Sequence, residues 1–241
     1  MLIKTETIIL STLKYNDTNV IVKTFTSEVG FATYFIKGLL KSKKGKLKKA
    51  YFQPGALLEI VASKRENEQM EYIREAVPVY HYENIQNDFD KLSIATFLRE
   101  ILIQVLSNEQ TNKELFNFIK NSFISLDKEK FNPDFHIIFL LQLTKHLGFY
   151  PDVQSKGKYF DLINGCFTHN TNQSIHFIDE NETIIFHKYL GMVFAYKNKA
   201  KMSNFQRKIM LNLLMKYYEI QLVAFKNPKS LEILNELYKN L

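Results

Sequence analysis

The feature that most constrains this chain is a change of hydrophobic period at Pro78. Before it, apolar residues fall in short β-like runs. After it, they recur about every 3.6 residues, the spacing of one helix face. Runs at 7–13, 20–25 and 31–36 are rich in β-branched and aromatic side chains. Turn formers bound them at Asn16-Asp17-Thr18-Asn19 and Thr26-Ser27-Glu28-Val29-Gly30. Two further runs, 56–62 and 70–77, flank a polar turn at 64–69. Five strands in so short a segment suit a small closed or partly closed barrel, whereas a two-layer sandwich usually takes more. The expected fold class is α+β, mainly α, with an N-terminal five-stranded OB-type β-barrel over 1–80. An α-helical domain over 81–241 follows, with a small β-hairpin insertion at about 156–179.

Within the helical part, Asp90 is placed to cap a helix whose face carries Leu92, Ala95, Leu98, Ile101, Leu102 and Val105. Thr111-Asn112-Lys113-Glu114 reads as a capping box before Leu115, Phe118, Ile119 and Phe123. A third helix after Pro133-Asp134 is apolar all round at 137–141, which predicts a central position, and it stops at Gly148. The stretch 159–168 predicts a hairpin turning at Asn164-Gly165, with a further strand at 174–178. Residues 182–196 are weakly helical. Ser203 and Gln206 should cap a long helix through about 225, with Phe205, Ile209, Leu213, Tyr217, Ile220 and Ala224 as its buried stripe. A last amphipathic helix spans 231–237.

Charge is concentrated. Residues 1–80 hold 13 basic and 8 acidic side chains, and the remainder holds 19 and 17. Seven lysines, Lys37, Lys41, Lys43, Lys44, Lys46, Lys48 and Lys49, fall within thirteen residues that contain no carboxylate. Such a run repels itself, so it sits in solvent or meets an anion. On charge alone it suits a solubilising loop as well as a phosphate-facing one. Its place after the third strand of a barrel favours phosphate, because OB folds bind oligonucleotides with one face and its flanking loops. Tyr15, Tyr34, Phe35, Tyr51 and Phe52 lie in or beside the strands, where outward rings stack bases. Phe35 is assigned to the core and Tyr15 and Tyr51 are left open. Arg65 and Arg74 are further phosphate candidates.

Enzyme signatures are missing: no phosphate-binding glycine loop, dinucleotide fingerprint, nucleophile elbow or His-Glu-x-x-His helix occurs. His136 and His146 share one helix about 15 Å apart by its rise, too far for a common metal. The single cysteine, Cys166, rules out an intrachain disulfide and a Cys-x-x-Cys zinc site. Cys166, His169 and His176 are bystanders on this reading, because a structural zinc wants four ligands at defined spacings. No catalytic residue, metal or cofactor is therefore expected. The N-terminal residues lack a signal peptide's apolar core, and no run approaches the roughly 20 apolar residues that span a bilayer. A cytoplasmic, nucleoid-associated protein with no membrane partner is expected.

The order of these features resembles the bacterial recombination mediator RecO family. The resemblance covers the whole length. It rests on Thr7-Ile8-Ile9-Leu10 with Lys14-Tyr15 and Asp17, Phe25 to Gly30, and Lys37-Gly38 leading into Lys41-Ser42-Lys43. It continues through Phe52-Gln53-Pro54-Gly55-Ala56-Leu57-Leu58-Glu59 and Leu147-Gly148-Phe149-Tyr150-Pro151-Asp152. The resemblance implies a non-catalytic role in recombinational repair: binding single- and double-stranded DNA, annealing complementary strands, and loading RecA, with RecR, onto DNA coated by single-stranded-DNA-binding protein. It also implies that the seven lysines contact DNA, and that the tail of single-stranded-DNA-binding protein is a partner. Many members carry cysteine pairs for zinc after the Gly-Phe/Tyr-x-Pro segment. Here residues 153–157 have none, so this region is expected to fold without metal. A protein–protein adaptor is the alternative, in which the helical domain, bordered by Lys197, Lys199, Lys201, Arg207 and Lys208, recruits an acidic tail and the barrel binds little DNA. A hydrolase is disfavoured for want of a carboxylate cluster or nucleophile motif.

Overall fold

The computed structural model describes residues 2–41, 47–63, 71–171, 176–190, 192 and 202–240. They form two compact units, Met1–Glu129 and Lys130–Leu241. In the first, β1 (Leu2–Lys14), β2 (Val20–Thr26), β3 (Gly30–Ile36), β4 (Leu57–Ser63) and β5 (Glu71–Tyr80) close into a barrel in the order β1-β2-β3-β5-β4. This is the expected five-stranded OB-type barrel followed by helices. β1 begins earlier than its sequence pattern suggests because it straddles the closure. Its first half pairs with β4 from Leu2↔Ser63 to Ile8↔Leu57, and its second half pairs with β2 from Thr7↔Thr26 to Lys14↔Val20. A register shift between Ile9 and Ser11 marks the crossing, where a bulge bends the strand. Among the described residues, β3 meets β5 through two parallel pairs, Tyr34↔Glu71 and Phe35↔Tyr72.

Alternation along the strands turns Ile9, Val22, Tyr34, Ile36, Leu58, Ile60 and Ile73 into one buried cluster. Leu39 and Phe52, from the connection between β3 and β4, join it. Phe52 is carried there by one turn of 3₁₀-helix, Lys49–Phe52.

Two helices complete this unit, α1 (Phe89–Val105) and α2 (Lys113–Lys128). Their caps differ from those expected. Asp88, not Asp90, accepts from the backbone N–H groups of Asp90 and Lys91 at 2.9 and 3.1 Å, and Leu92 is exposed. Asn112 caps α2 by accepting from the Leu115 N–H at 3.0 Å. Thr111 instead donates its hydroxyl to the Glu28 carbonyl at 3.0 Å. That contact belongs to a seam with the β2–β3 turn. Phe31 N–H donates to the Glu109 carbonyl at 3.1 Å, Lys113 pairs with Glu28 at 2.8 Å, and a Cβ at Gly30 would lie 2.5 Å from the Gln110 backbone. Only glycine permits that approach at φ +77.

The link from β5 to α1 is held by a buried carboxylate. Asp127 accepts from the backbone N–H groups of Glu83, Asn84 and Ile85 at 3.1, 2.8 and 2.9 Å and from the Tyr80 hydroxyl at 2.9 Å. Burial pushes its pKa up, but these donors outweigh burial and hold the carboxyl below its ordinary value.

The second unit comprises α3 (Phe135–Leu147), β6 (Tyr159–Asp161), β7 (Cys166–Thr168), β8 (Phe177–Ile178), α4 (Glu180–Tyr189), α5 (Asn204–Gln221) and α6 (Leu231–Asn240). α3 is buried on nearly every side and ends at Gly148 with φ 84, as its sequence predicts. The three strands form a sheet in the order β7-β6-β8, and the expected strand start at 174–175 lies outside the described residues. α4 stops at Tyr189. The Ser203–Gln206 capping box is present, but α5 ends at Gln221 and Ala224 takes φ 71, so Ala224 is not part of its stripe. Phe205 is also no core residue: it is 73% exposed, and Met210, Leu211, Leu213, Leu214, Tyr217 and Tyr218 carry the buried face. Helical periodicity fits both sets, and packing against α3 selected one.

Candidate nucleic-acid interface

The lysine stretch leaves β3 at Lys37 and re-enters described structure at the 3₁₀ turn before β4. Lys37, Lys41, Lys48 and Lys49 are exposed. Lys43, Lys44, Lys46 and Arg65 lie outside the described residues. Each described end of the stretch meets an aromatic ring. The Lys37 ammonium stands 5.1 Å from the Tyr72 ring centre, and that of Lys48 stands 5.6 Å from Tyr51.

Tyr72 belongs to a row. Tyr15, 58% exposed in the turn after β1, meets Phe35 edge-on at 5.4 Å, and Phe35 meets Tyr72 edge-on at 6.0 Å. Phe35 points opposite to Tyr34 and Ile36, which belong to the interior cluster. Phe35 is therefore buried as expected, but on the outer wall beneath two tyrosines. The result is an apolar strip with an open ring at one end and a cation at the other. The Lys14–Asp17 pair at 2.7 Å neutralises the one carboxylate in the adjoining turn. Arg74 is exposed at the β5 irregularity, two residues from Tyr72 and next to Glu75, so it joins the wall but not the ring row.

The sequence reading did not single out Tyr72. Its signal is parity: it neighbours Ile73, whose inward direction sends Tyr72 outward beside Phe35. The tyrosines at the end of β5 and just beyond it were also missed. Tyr80 and Tyr82 meet edge-on at 5.2 Å, and Lys128 stands 5.5 Å over Tyr80.

Among the described residues no three His, Cys, Asp or Glu side chains converge as metal ligands. Burial, then Asp161 and Asp152, raise the Cys166 thiol above its ordinary pKa. His187 lies stacked on Phe167 at 4.1 Å. Phe160 packs against Phe167, Phe186 and Tyr217 beside the β6–β7 hairpin, and these side chains offer none of the thiolate or imidazole ligands a structural zinc takes. No described helix is long and apolar enough to cross a membrane.

The family model described as Recombination protein O N terminal matches residues 1–82, and the one described as Recombination protein O C terminal matches residues 86–168. The chain belongs to the RecO family. Full-length relatives agree. The chain is 38% identical over 239 residues to the DNA repair protein RecO of Christiangramia forsetii, spanning 99% of this chain and 100% of that one. It is 36% identical over 239 residues to that of Flavobacterium psychrophilum and 34% over 243 residues to that of Bacteroides fragilis, with the same shares covered. Membership in the RecO family places the chain in DNA repair and recombination.

Proposed function

We propose that this chain is a non-catalytic DNA-binding mediator that holds single- and double-stranded DNA and anneals complementary strands. With RecR, it helps load RecA onto DNA coated by single-stranded-DNA-binding protein, acting in the cytoplasm at the nucleoid. Residues 1–80 would form the DNA-binding domain and 81–241 the helical domain that meets protein partners. The observation that carries this reading is the row Tyr15, Phe35 and Tyr72 capped by Lys37 at the head of the lysine stretch. Rings stack on bases without regard to sequence, while lysines meet phosphates as point charges. An annealing protein needs that combination, since it must hold any strand and read none.

The proposed contacts are Lys37, Lys41, Lys43, Lys44, Lys46, Lys48, Lys49, Arg65, Arg74 and Tyr15. A strand-annealing assay with naked strands and with strands coated by single-stranded-DNA-binding protein tests the reading. Faster annealing of both, with RecR increasing RecA loading, is the expected result, and no acceleration of either rejects it. The adaptor reading draws on exposed Phe205 beside exposed Lys208, an apolar and basic pair suited to an acidic, aromatic-tipped tail. Arg207 supports it less, because its guanidinium is engaged by Asp134 at 2.9 Å. Lys197, Lys199 and Lys201 lie outside the described residues.

A further inference from the structure

A second aromatic site lies at the other end of the lysine stretch. A cleft of about 290 Å³ is lined by Tyr51, Gln53, Tyr80, His81, Tyr82 and Gln86 together with small and apolar residues, and no Asp or Glu lines it. Its walls are set in advance. Tyr80 donates its hydroxyl to Asp127 at 2.9 Å and Tyr82 donates to the Gly55 carbonyl at 3.0 Å. Both hydroxyls are thereby spent inside the protein, and the rings are held edge-on to each other. Two lysines stand over the rings, Lys48 over Tyr51 and Lys128 over Tyr80. The Gln86 amide donates to the Gln53 carbonyl oxygen at 3.2 Å, and both side chains are exposed. That bond can be exchanged for a ligand's hydrogen-bonding edge at little cost, because water already competes for it.

Fixed aromatic faces, a pair of adaptable amides, flanking lysines and a lining without carboxylates, the Asp127 charge being taken up by the donors around it, select a flat, hydrogen-bonding ligand that carries an anion. That is the chemistry of a nucleotide. We propose that this cleft takes an unpaired base of single-stranded DNA, with Lys48 on its phosphate, as a site distinct from the Tyr15–Phe35–Tyr72 row. The proposal rests on the DNA-binding reading above. A continuous strand is favoured over a free nucleotide because Lys48 and Lys49 continue the lysine stretch that starts at Lys37 beside the first row. The barrel then carries two base-stacking surfaces, one beside Lys37 and one beside Lys48, at the two described ends of the lysine stretch. Splayed bases held against rings in this way are how single strands are recognised elsewhere.

The test uses the full chain and fluorescence anisotropy with three probes: a 20-nucleotide oligothymidylate, an abasic 20-mer of equal phosphate count, and free thymidine monophosphate. Tyr51→Ala should weaken oligothymidylate binding about tenfold, leave abasic binding and the salt dependence unchanged, and be rescued by Tyr51→Phe. Gln86→Ala, a change at the exposed rim, should give a smaller loss with the same pattern. Oligothymidylate carrying 5-iodouracil should crosslink to Tyr51, Tyr80 or His81. Wild-type affinity in both alanine variants, or equal losses on oligothymidylate and abasic probes, overturns the base pocket while leaving DNA binding intact. Saturable binding of free thymidine monophosphate that Tyr51→Ala abolishes overturns the strand assignment. Failure of the wild type to bind either oligomer overturns the DNA-binding reading itself.

Discussion

Each unit contains a cluster of packed rings, and the two clusters differ in their surroundings. In the second unit Phe160 meets Phe186, Phe167 and Tyr217 at 4.8, 4.9 and 5.5 Å, and none of the four is more than 3% exposed. The Tyr217 hydroxyl is spent on the Phe149 carbonyl at 2.7 Å, and Gly165 leaves room for it: a Cβ there would lie 2.7 Å from that oxygen. In the first unit the Tyr15–Phe35–Tyr72 row has similar spacings, yet Tyr15 is 58% exposed and a lysine stands over Tyr72. Ring spacing is thus similar in a core and in a candidate binding surface. Solvent access and neighbouring cations separate them.

That contrast can be broken by substitution. Phe160→Ala should cost about 3–5 kcal/mol, the range for truncating a buried aromatic, read as a shift in the denaturant midpoint, without altering DNA affinity of the folded protein. Lys41, Lys43, Lys44 and Lys46 replaced together by alanine should do the reverse. Single-strand affinity should drop on the order of a hundredfold at 0.15 M salt, and the salt slope should shrink by roughly 3, since about 0.7 counterion is released per phosphate contact. Unchanged binding at that salt would remove the lysine stretch from the interface.

The units should also differ in acid. Burial, then Arg207, push the His136 pKa down from 6.5 to about 3. Between those values the unfolded chain holds a proton that the folded one excludes. The second unit should therefore lose stability as pH falls below 6.5, at up to about 1.4 kcal/mol per pH unit. Asp127 in the first unit acts lower. Its folded pKa is depressed, so its contribution is present above the ordinary 3.8 and is lost as pH falls through the folded value. Melts monitored between pH 7 and pH 4 should show this early loss in the wild type and a flatter profile in His136→Leu.

Smaller effects sharpen the surface side of the comparison. Tyr15→Ala should leave stability within about 0.5 kcal/mol and weaken oligothymidylate binding about tenfold or less, measured by anisotropy against the abasic probe. A stability loss above 2 kcal/mol would show that the row is core after all. The smallest expected effect is that of metal removal: chelation should leave the melting temperature unchanged, and elemental analysis should find no stoichiometric zinc.

Much of the architecture was legible in the residues themselves. The period change at Pro78, the turn formers between short β-branched runs and the all-apolar 137–141 stretch each record a local physical preference, and the barrel, the buried α3 and a hairpin within 159–168 follow from them, although that hairpin turns through four residues, 162–165, and not through Asn164-Gly165 alone. Local rules were weaker at helix ends, where Asp88 and Asp90, or Thr111 and Asn112, carry nearly equivalent capping chemistry. At the second pair the bond of Thr111 to Glu28 decided. Phe205 was misread because a helical stripe has a width but no absolute direction until a partner helix covers it. The lysine stretch was visible as charge, which by itself suits a solubilising loop as well as an anion-facing one. What sequence could not hold was the company the lysines keep. Tyr72 reaches Lys37 through a parallel pairing of β3 with β5, and Tyr80 and Tyr82 reach the far end through hydroxyl bonds to Asp127 and Gly55. Those contacts join residues tens of positions apart, so only closure of the barrel brings rings and cations onto common surfaces.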